Sequence, residues 1–214
     1  AGPTVRSQLR APNRARMQRC ARRGILPAMG EAAKRSTYAD YLELEAKSEQ
    51  RYEFVDGVVY AMADGTPEHS RLAVALAAEL RAALSSKGCA VYGSDLKLRI
   101  DATNRSTYAD VVVICGPERI ADIDPNAVTN PTVIVEVLSP STEASDRGEK
   151  WRHYQRLASL REYVLVSQGE PYVEVFRRDG DEWVLRTATA GQQLELPSQG
   201  VCVSVDAIYA DPRG

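Results

Sequence analysis

The sequence predicts an α/β fold of the α+β kind, a mixed β-sheet flanked by helices with an additional antiparallel hairpin region. Three observations carry this. Residues 109–114 and 132–138 are nearly uninterrupted apolar, β-branched runs, the pattern of central strands covered on both faces. Leu72, Leu76, Leu80 and Ala83 recur at helical spacing over a long stretch. The element order is helix, hairpin, helix, several strands, helix, then more strands, which is not a repeated βαβ winding.

Each element has a local reason. Ser36 or Thr37 caps a helix over about 37–48 with Tyr38, Tyr41, Leu42 and Leu44 turned inward. Asp56-Gly57 between apolar-rich runs is a hairpin signal within 51–60. Pro67 opens the long helix, about 67–87, and Gly88 closes it. Strands are expected at 89–93 and 95–100, followed by a polar turn at 101–107. After the two central runs come a helix at about 143–159 and strands at 161–167, 171–177 and 182–188. Asp179-Gly180 turns the last two, 193–203 adds edge strands, and 206–210 a final helical turn. Arg-Ser-Thr-Tyr-Ala-Asp occurs at both 35–40 and 105–110, but the flanks differ and the contexts are a helix start and a strand entry, so no repeat is inferred.

The chain of 214 residues, 44% hydrophobic and 26% charged, suits one domain with a sizeable core. No apolar run reaches membrane-spanning length, and 1–30 lacks the apolar core of a secretory signal. The four cysteines, Cys20, Cys89, Cys115 and Cys202, form no CxxC pair. That spacing argues against a zinc ribbon and a disulfide framework; Cys115 and Cys202 read as buried thiols, and a reducing cytoplasm fits. The net charge of −2 hides an asymmetry. Seven of the 27 basic residues are arginines within 1–30, where there is no acid, leaving 20 basic against 29 acidic side chains elsewhere. An acidic body argues against a broad nucleic-acid surface. Residues 1–30 read as a disordered basic tail, with the domain over 36–210. A nucleic-acid-binding arm, an organelle transit peptide and upstream sequence before a start at Met29 all fit that tail.

Glu136 lies inside a β-branched apolar run, where an unpaired charge costs several kcal/mol, on the order of the stability of a whole domain. It needs a cation, a metal or a proton, unless it sits at the sheet edge and points to water. Asp110 enters the other central run and otherwise reads as a turn residue. Two neighbouring strands that each present a carboxylate can hold one Mg²⁺, which takes few protein carboxylates and completes its shell with water and phosphate oxygens. Lys150 follows the Ser139-Pro140-Ser141-Thr142 turn, with Tyr154 four residues on. Beside a metal and a phosphate, its charge can orient water or stabilise the transition state; alone, it reads as a surface lysine. His69 and His153 form no ligand motif; His153 is expected to face solvent.

Asp110, then Thr-Val-Ile-Val-Glu136-Val-Leu-Ser-Pro-Ser-Thr, Lys150, Tyr154 and Glu162-Tyr-Val-Leu-Val166 resemble the Uma2 (DUF820) family of the PD-(D/E)XK nuclease superfamily. The resemblance runs from about Thr37 to about Asp206, and Tyr52-Glu53-Phe-Val-Asp56-Gly57 and His69 add to it. It implies a restriction-endonuclease-like fold and a Mg²⁺- or Mn²⁺-dependent endonuclease acting on DNA. Asp110 and Glu136 would be the metal ligands and catalytic together with Lys150 and Glu53, while His69 and Tyr154 would be site neighbours. The superfamily's lysine usually lies two residues after the glutamate; Leu138 stands there, so the role passes to Lys150. The usual proline before the first aspartate is Ala109. A homodimer fits cleavage of both strands of a duplex. The alternatives are a catalytically inactive nucleic-acid-binding or scaffold protein retaining the fold, and a metal-dependent enzyme acting on a small phosphoester.

Overall fold

The computed structural model describes residues 35–62, 65–211 and 213. The tail reading for 1–30 lies outside the described residues. In chain order the fold begins with α1 (Tyr38–Ala46), β1 (Tyr52–Val55), β2 (Val58–Ala61), α2 (Pro67–Ala83), β3 (Cys89–Tyr92) and β4 (Lys97–Ile100). It continues with β5 (Arg105–Tyr108), β6 (Val111–Cys115), β7 (Ile120–Ala121), β8 (Asp124–Val128) and β9 (Val133–Leu138). Then come α3 (Glu143–Ser145), a π-helical turn (Asp146–Lys150), α4 (Trp151–Tyr154) and β10 (Glu162–Ser167). The fold ends with β11 (Tyr172–Asp179), β12 (Glu182–Thr189), β13 (Gln193–Leu196), β14 (Val201–Ser204) and α5 (Val205–Tyr209).

The strands form two six-stranded mixed sheets, β2-β1-β5-β4-β8-β7 and β12-β11-β10-β9-β6-β3, and the two-stranded pair β13-β14. The β1–β2 hairpin forms the margin of the first of these sheets. Its turn takes Asp56 at φ 42° and Gly57 at φ 91°, the two left-handed residues of a tight hairpin. In the second sheet β9 runs parallel to β10 and antiparallel to β6, so the two central runs lie side by side.

Strand alternation divides the molecule into layers. Val111, Val113, Val133 and Val135 share one core with Leu72, Leu76 and Leu80 of α2 and with α5 and β13–β14. On the opposite face, Val112, Ile134 and Leu165 pack with Leu98 and Ile100 of the first sheet and with Tyr154, Leu157 and Leu160. The first sheet's far side is covered by α1, whose Tyr38 and Tyr41 contact Phe54. Thr37 caps α1 in a reciprocal box with Asp40.

Several expectations need correction. The supposed polar turn at 101–107 is a short 3₁₀ turn, Asp101–Thr103, followed by strand β5, whose residues are all buried. Its polar side chains find partners across the sheets, so apolar patterning does not mark it. Residues 116–131 contain β7 and β8, for which no strand was expected. The long helix ends at Ala83, and the later helical segment reaches only Tyr154. Leu44 is 40% exposed rather than turned inward. Cys89 and Cys115 face one another across β3 and β6 and form a disulfide, while Cys202 is exposed. The reading of reduced, buried thiols missed this because antiparallel pairing brings together cysteines 26 residues apart. Among the described residues no helix is long and apolar enough to cross a membrane.

Candidate active site

The β6–β9 register pairs Val111 with Val135, and one step beyond that pair stand Asp110 and Glu136. Continuing the alternation, Glu136 belongs to the face of Ile134 and Leu165, between the two sheets. Its Oε1 accepts from Lys150 Nζ at 3.1 Å and from the Tyr154 hydroxyl at 2.8 Å. Burial pushes the Glu136 carboxyl up to about 8; Lys150 opposes that rise, and Asp146 and Asp110 add to it. Burial also holds the Tyr154 hydroxyl well above its ordinary range.

Lys150 ends the π-helical turn, a local widening that recurs at functional positions in helices. Its ammonium lies 3.1 Å from Glu136, 3.2 Å from Asp146 and 3.6 Å from Glu53. Burial alone would lower its pKa; the carboxylates outweigh burial and raise it, so the lysine stays charged. Glu53 reaches this point from the first sheet. Arg105 Nη2 donates to it at 2.9 Å, and the Thr107 hydroxyl donates to its other oxygen. Arg105 is 1% exposed and also donates to Glu149 at 3.0 Å.

Asp110 Oδ2 accepts from the Val137 amide at 2.7 Å and lies 3.1 Å from His69 Nε2. That carboxylate hydrogen bond raises the His69 pKa against the effect of burial. His69 stands in the first turn of α2, whose cap Thr66 donates to Gln168; Gln168 in turn donates to the Leu138 carbonyl at the end of β9. His153 is not solvent-facing as expected: its side chain is 18% exposed beside Glu149, and burial lowers its pKa.

Two adjoining grooves open on the cluster. One, of about 230 Å³, is lined by His69, Asp110, Glu136, Asp146 and Lys150. The other, of about 390 Å³, is lined by Glu53, Tyr60, Arg105, Glu149 and Lys150. The fold therefore gathers Asp110, Glu136, Lys150, Glu53, His69 and Tyr154 in one region. Sequence reasoning missed Asp146 and Arg105. Asp146 is 1% exposed, and its only local signal was an acid four residues before Lys150. Arg105 had none, because its partner Glu53 is 52 residues away.

Residues 38–205 match the family model Uma2, described as "Putative restriction endonuclease". Two relatives from Synechocystis sp., both named as uncharacterized proteins, align over most of their length. One, slr1290, is 37% identical over 171 residues, 79% of this chain and 89% of its own. The other, sll1609, is 32% identical over 160 residues, 75% and 90%. A crystal structure titled as a putative nuclease belonging to DUF820, from Anabaena variabilis, superposes with a TM-score of 0.66 at 15% identity. It covers 81% of this chain and 97% of that one, a likeness of fold. Sequence match and fold agree, and the chain belongs to the Uma2 family.

Proposed function

We propose that this chain is a divalent-metal-dependent endonuclease that hydrolyses phosphodiester bonds, with DNA as its substrate. One observation carries the reading: three carboxylates, Glu136, Asp146 and Glu53, lie within 3.6 Å of a single buried ammonium, with Asp110 beside them. Acid exceeds base here, because Arg105 is shared with Glu149. A bound cation resolves that excess.

The donor chemistry fits Mg²⁺ or Mn²⁺. Asp146 Oδ1 is buried without a hydrogen bond of good geometry, although Lys150 is at ion-pair distance. Among the described residues the hydrogen bonds to Glu136 use Oε1 and the contacts to Asp110 use Oδ2, so each has a second oxygen to offer. No three His, Cys, Asp or Glu side chains among them form a ready-made ligand cluster. Magnesium does not demand one, since water and substrate phosphate fill most of its shell. Asp110 and Glu136 would hold the ion, which when bound would supply Lewis acidity toward the phosphate and the attacking water.

The chain's own groups do the rest. Lys150 presents fixed positive charge where negative charge builds on the phosphorane. Glu53, clamped by Arg105 and Thr107, is a positioned acceptor for a water proton. The Tyr154 hydroxyl and Lys150 hold the Glu136 carboxylate in one orientation.

Calorimetry with Mn²⁺ tests this directly. Wild type should bind the ion and Glu136→Ala should not; no binding by wild type sinks the enzyme reading. Nicking of supercoiled plasmid should then fall by about a hundredfold or more in Lys150→Ala, the scale of one electrostatic contact to the transition state. Metal binding without any nicking favours the inactive, nucleic-acid-binding alternative.

A further inference from the structure

We propose that Tyr60 forms the wall of a nucleobase subsite beside the catalytic cluster, so that the strand engaged is single-stranded or locally unpaired; this rests on the nuclease reading above. The hairpin register pairs Glu53 with Tyr60 and Val55 with Val58. Alternation puts these four on one face and turns Phe54, 1% exposed, to the other, against Tyr38 and Tyr41. Tyr60 is therefore on the catalytic face, directly across from a residue in contact with Lys150. Yet it is 53% exposed, an aromatic ring left open on the wall of the larger groove. Val55, Ala61 and Met62 extend that wall, while Ser141, Thr142 and Glu149 supply polar groups elsewhere in the lining. An aromatic face near a few hydrogen-bonding groups, in about 390 Å³, suits a flat base.

The cations around the grooves argue against a duplex tracked by its backbone. Arg105, on the wall of the larger groove, is engaged by Glu53 and Glu149, and Lys150, which lines both, by three carboxylates. Following a duplex requires lysines and arginines available to its phosphates. A single strand carries phosphates as well, but its unstacked bases can offer a face to Tyr60, which the paired and stacked bases of a duplex cannot. The acidic body of the chain, 20 basic against 29 acidic residues beyond residue 30, is compatible with such a mode.

The test is a short single-stranded oligonucleotide carrying the fluorescent base 2-aminopurine, titrated with the full chain in Ca²⁺, alongside the same sequence as a duplex. Wild type and Tyr60→Phe should bind the single strand more tightly than the duplex and quench its fluorescence. Tyr60→Leu and Tyr60→Ala should bind it about tenfold more weakly, the loss of one stack, and lose the quenching. Mn²⁺ calorimetry on these variants should match wild type. Equal affinity of Tyr60→Ala and wild type, or a preference of wild type for duplex, overturns the subsite while leaving the nuclease reading intact. Wild type that binds neither oligonucleotide nor Mn²⁺ overturns both.

Discussion

Arg105 shows how single residues hold the site together. It is nearly inaccessible, its guanidinium bridges Glu53 and Glu149, and its Nε has no hydrogen-bond partner among the described residues. Arg105→Ala leaves Glu53 beside Lys150 and Thr107 without its strongest anchor, and should lower the unfolding free energy by about 3 kcal/mol, measured in urea. Lysine at this position should recover little, since it cannot bridge two carboxylates with one planar fork. Asp124, 1% exposed, anchors a separate buried polar group beneath α1 with Lys97 and Tyr38. Burial raises its pKa, but hydrogen bonds from Lys97, the Asn126 amide and Tyr38 outweigh burial and hold it below the ordinary 3.8. A depressed folded-state pKa stabilises the protein above 3.8 and loses that contribution as the pH falls through the lower folded value. Wild-type stability should therefore drop in that acid window, and Asp124→Asn should be less stable at neutral pH with a flatter acid limb.

At the scale of elements, the β1–β2 turn and the β3–β6 pair are the points to probe. Gly57 has φ 91°, and a Cβ built there would meet Arg35 Cβ at 2.7 Å. Gly57→Ala should destabilise by about 1–3 kcal/mol, because both the left-handed backbone and the close approach resist a side chain. The same hairpin carries Glu53 and Tyr60, so plasmid nicking should fall further than the lost stability explains. The Cys89–Cys115 disulfide ties edge strand β3 to β6. Reduction, or Cys89→Ser with Cys115→Ser, should cost about 3 kcal/mol, read as a lower urea midpoint. An unchanged midpoint under reductant would mean that strand pairing and apolar packing alone hold β3 in place.

On the scale of the whole molecule, the site exists because two sheets face one another. Glu136 comes from the second sheet, Glu53 and Arg105 from the first, and the π turn delivers Asp146 and Lys150 between them. A metal ion held as proposed by Asp110 and Glu136 would bind the folded chain alone, so Mn²⁺ at a hundred times its dissociation constant should stabilise the fold by about 2.7 kcal/mol. Thermal unfolding of wild type should shift upward accordingly, and that of Glu136→Ala should not.

What was legible in the sequence follows from local rules. Apolar β-branched runs marked β6 and β9, helical spacing marked α2, and Asp56-Gly57 marked the hairpin. Glu136 stood out because a carboxylate in such a run needs a partner. The sequence alone left open whether that partner was water, a proton, a metal or a cation; the fold places Lys150 Nζ at 3.1 Å. Family resemblance pointed to Lys150, since its local pattern matched any surface lysine. The tertiary structure alone decided that 105–108 is a buried strand, that Cys89 meets Cys115, and that Asp146 and Arg105 join the cluster. These are pairings between polar or small side chains, most of them from different elements. Apolar periodicity records which residues leave water, but not which polar groups find one another once they do.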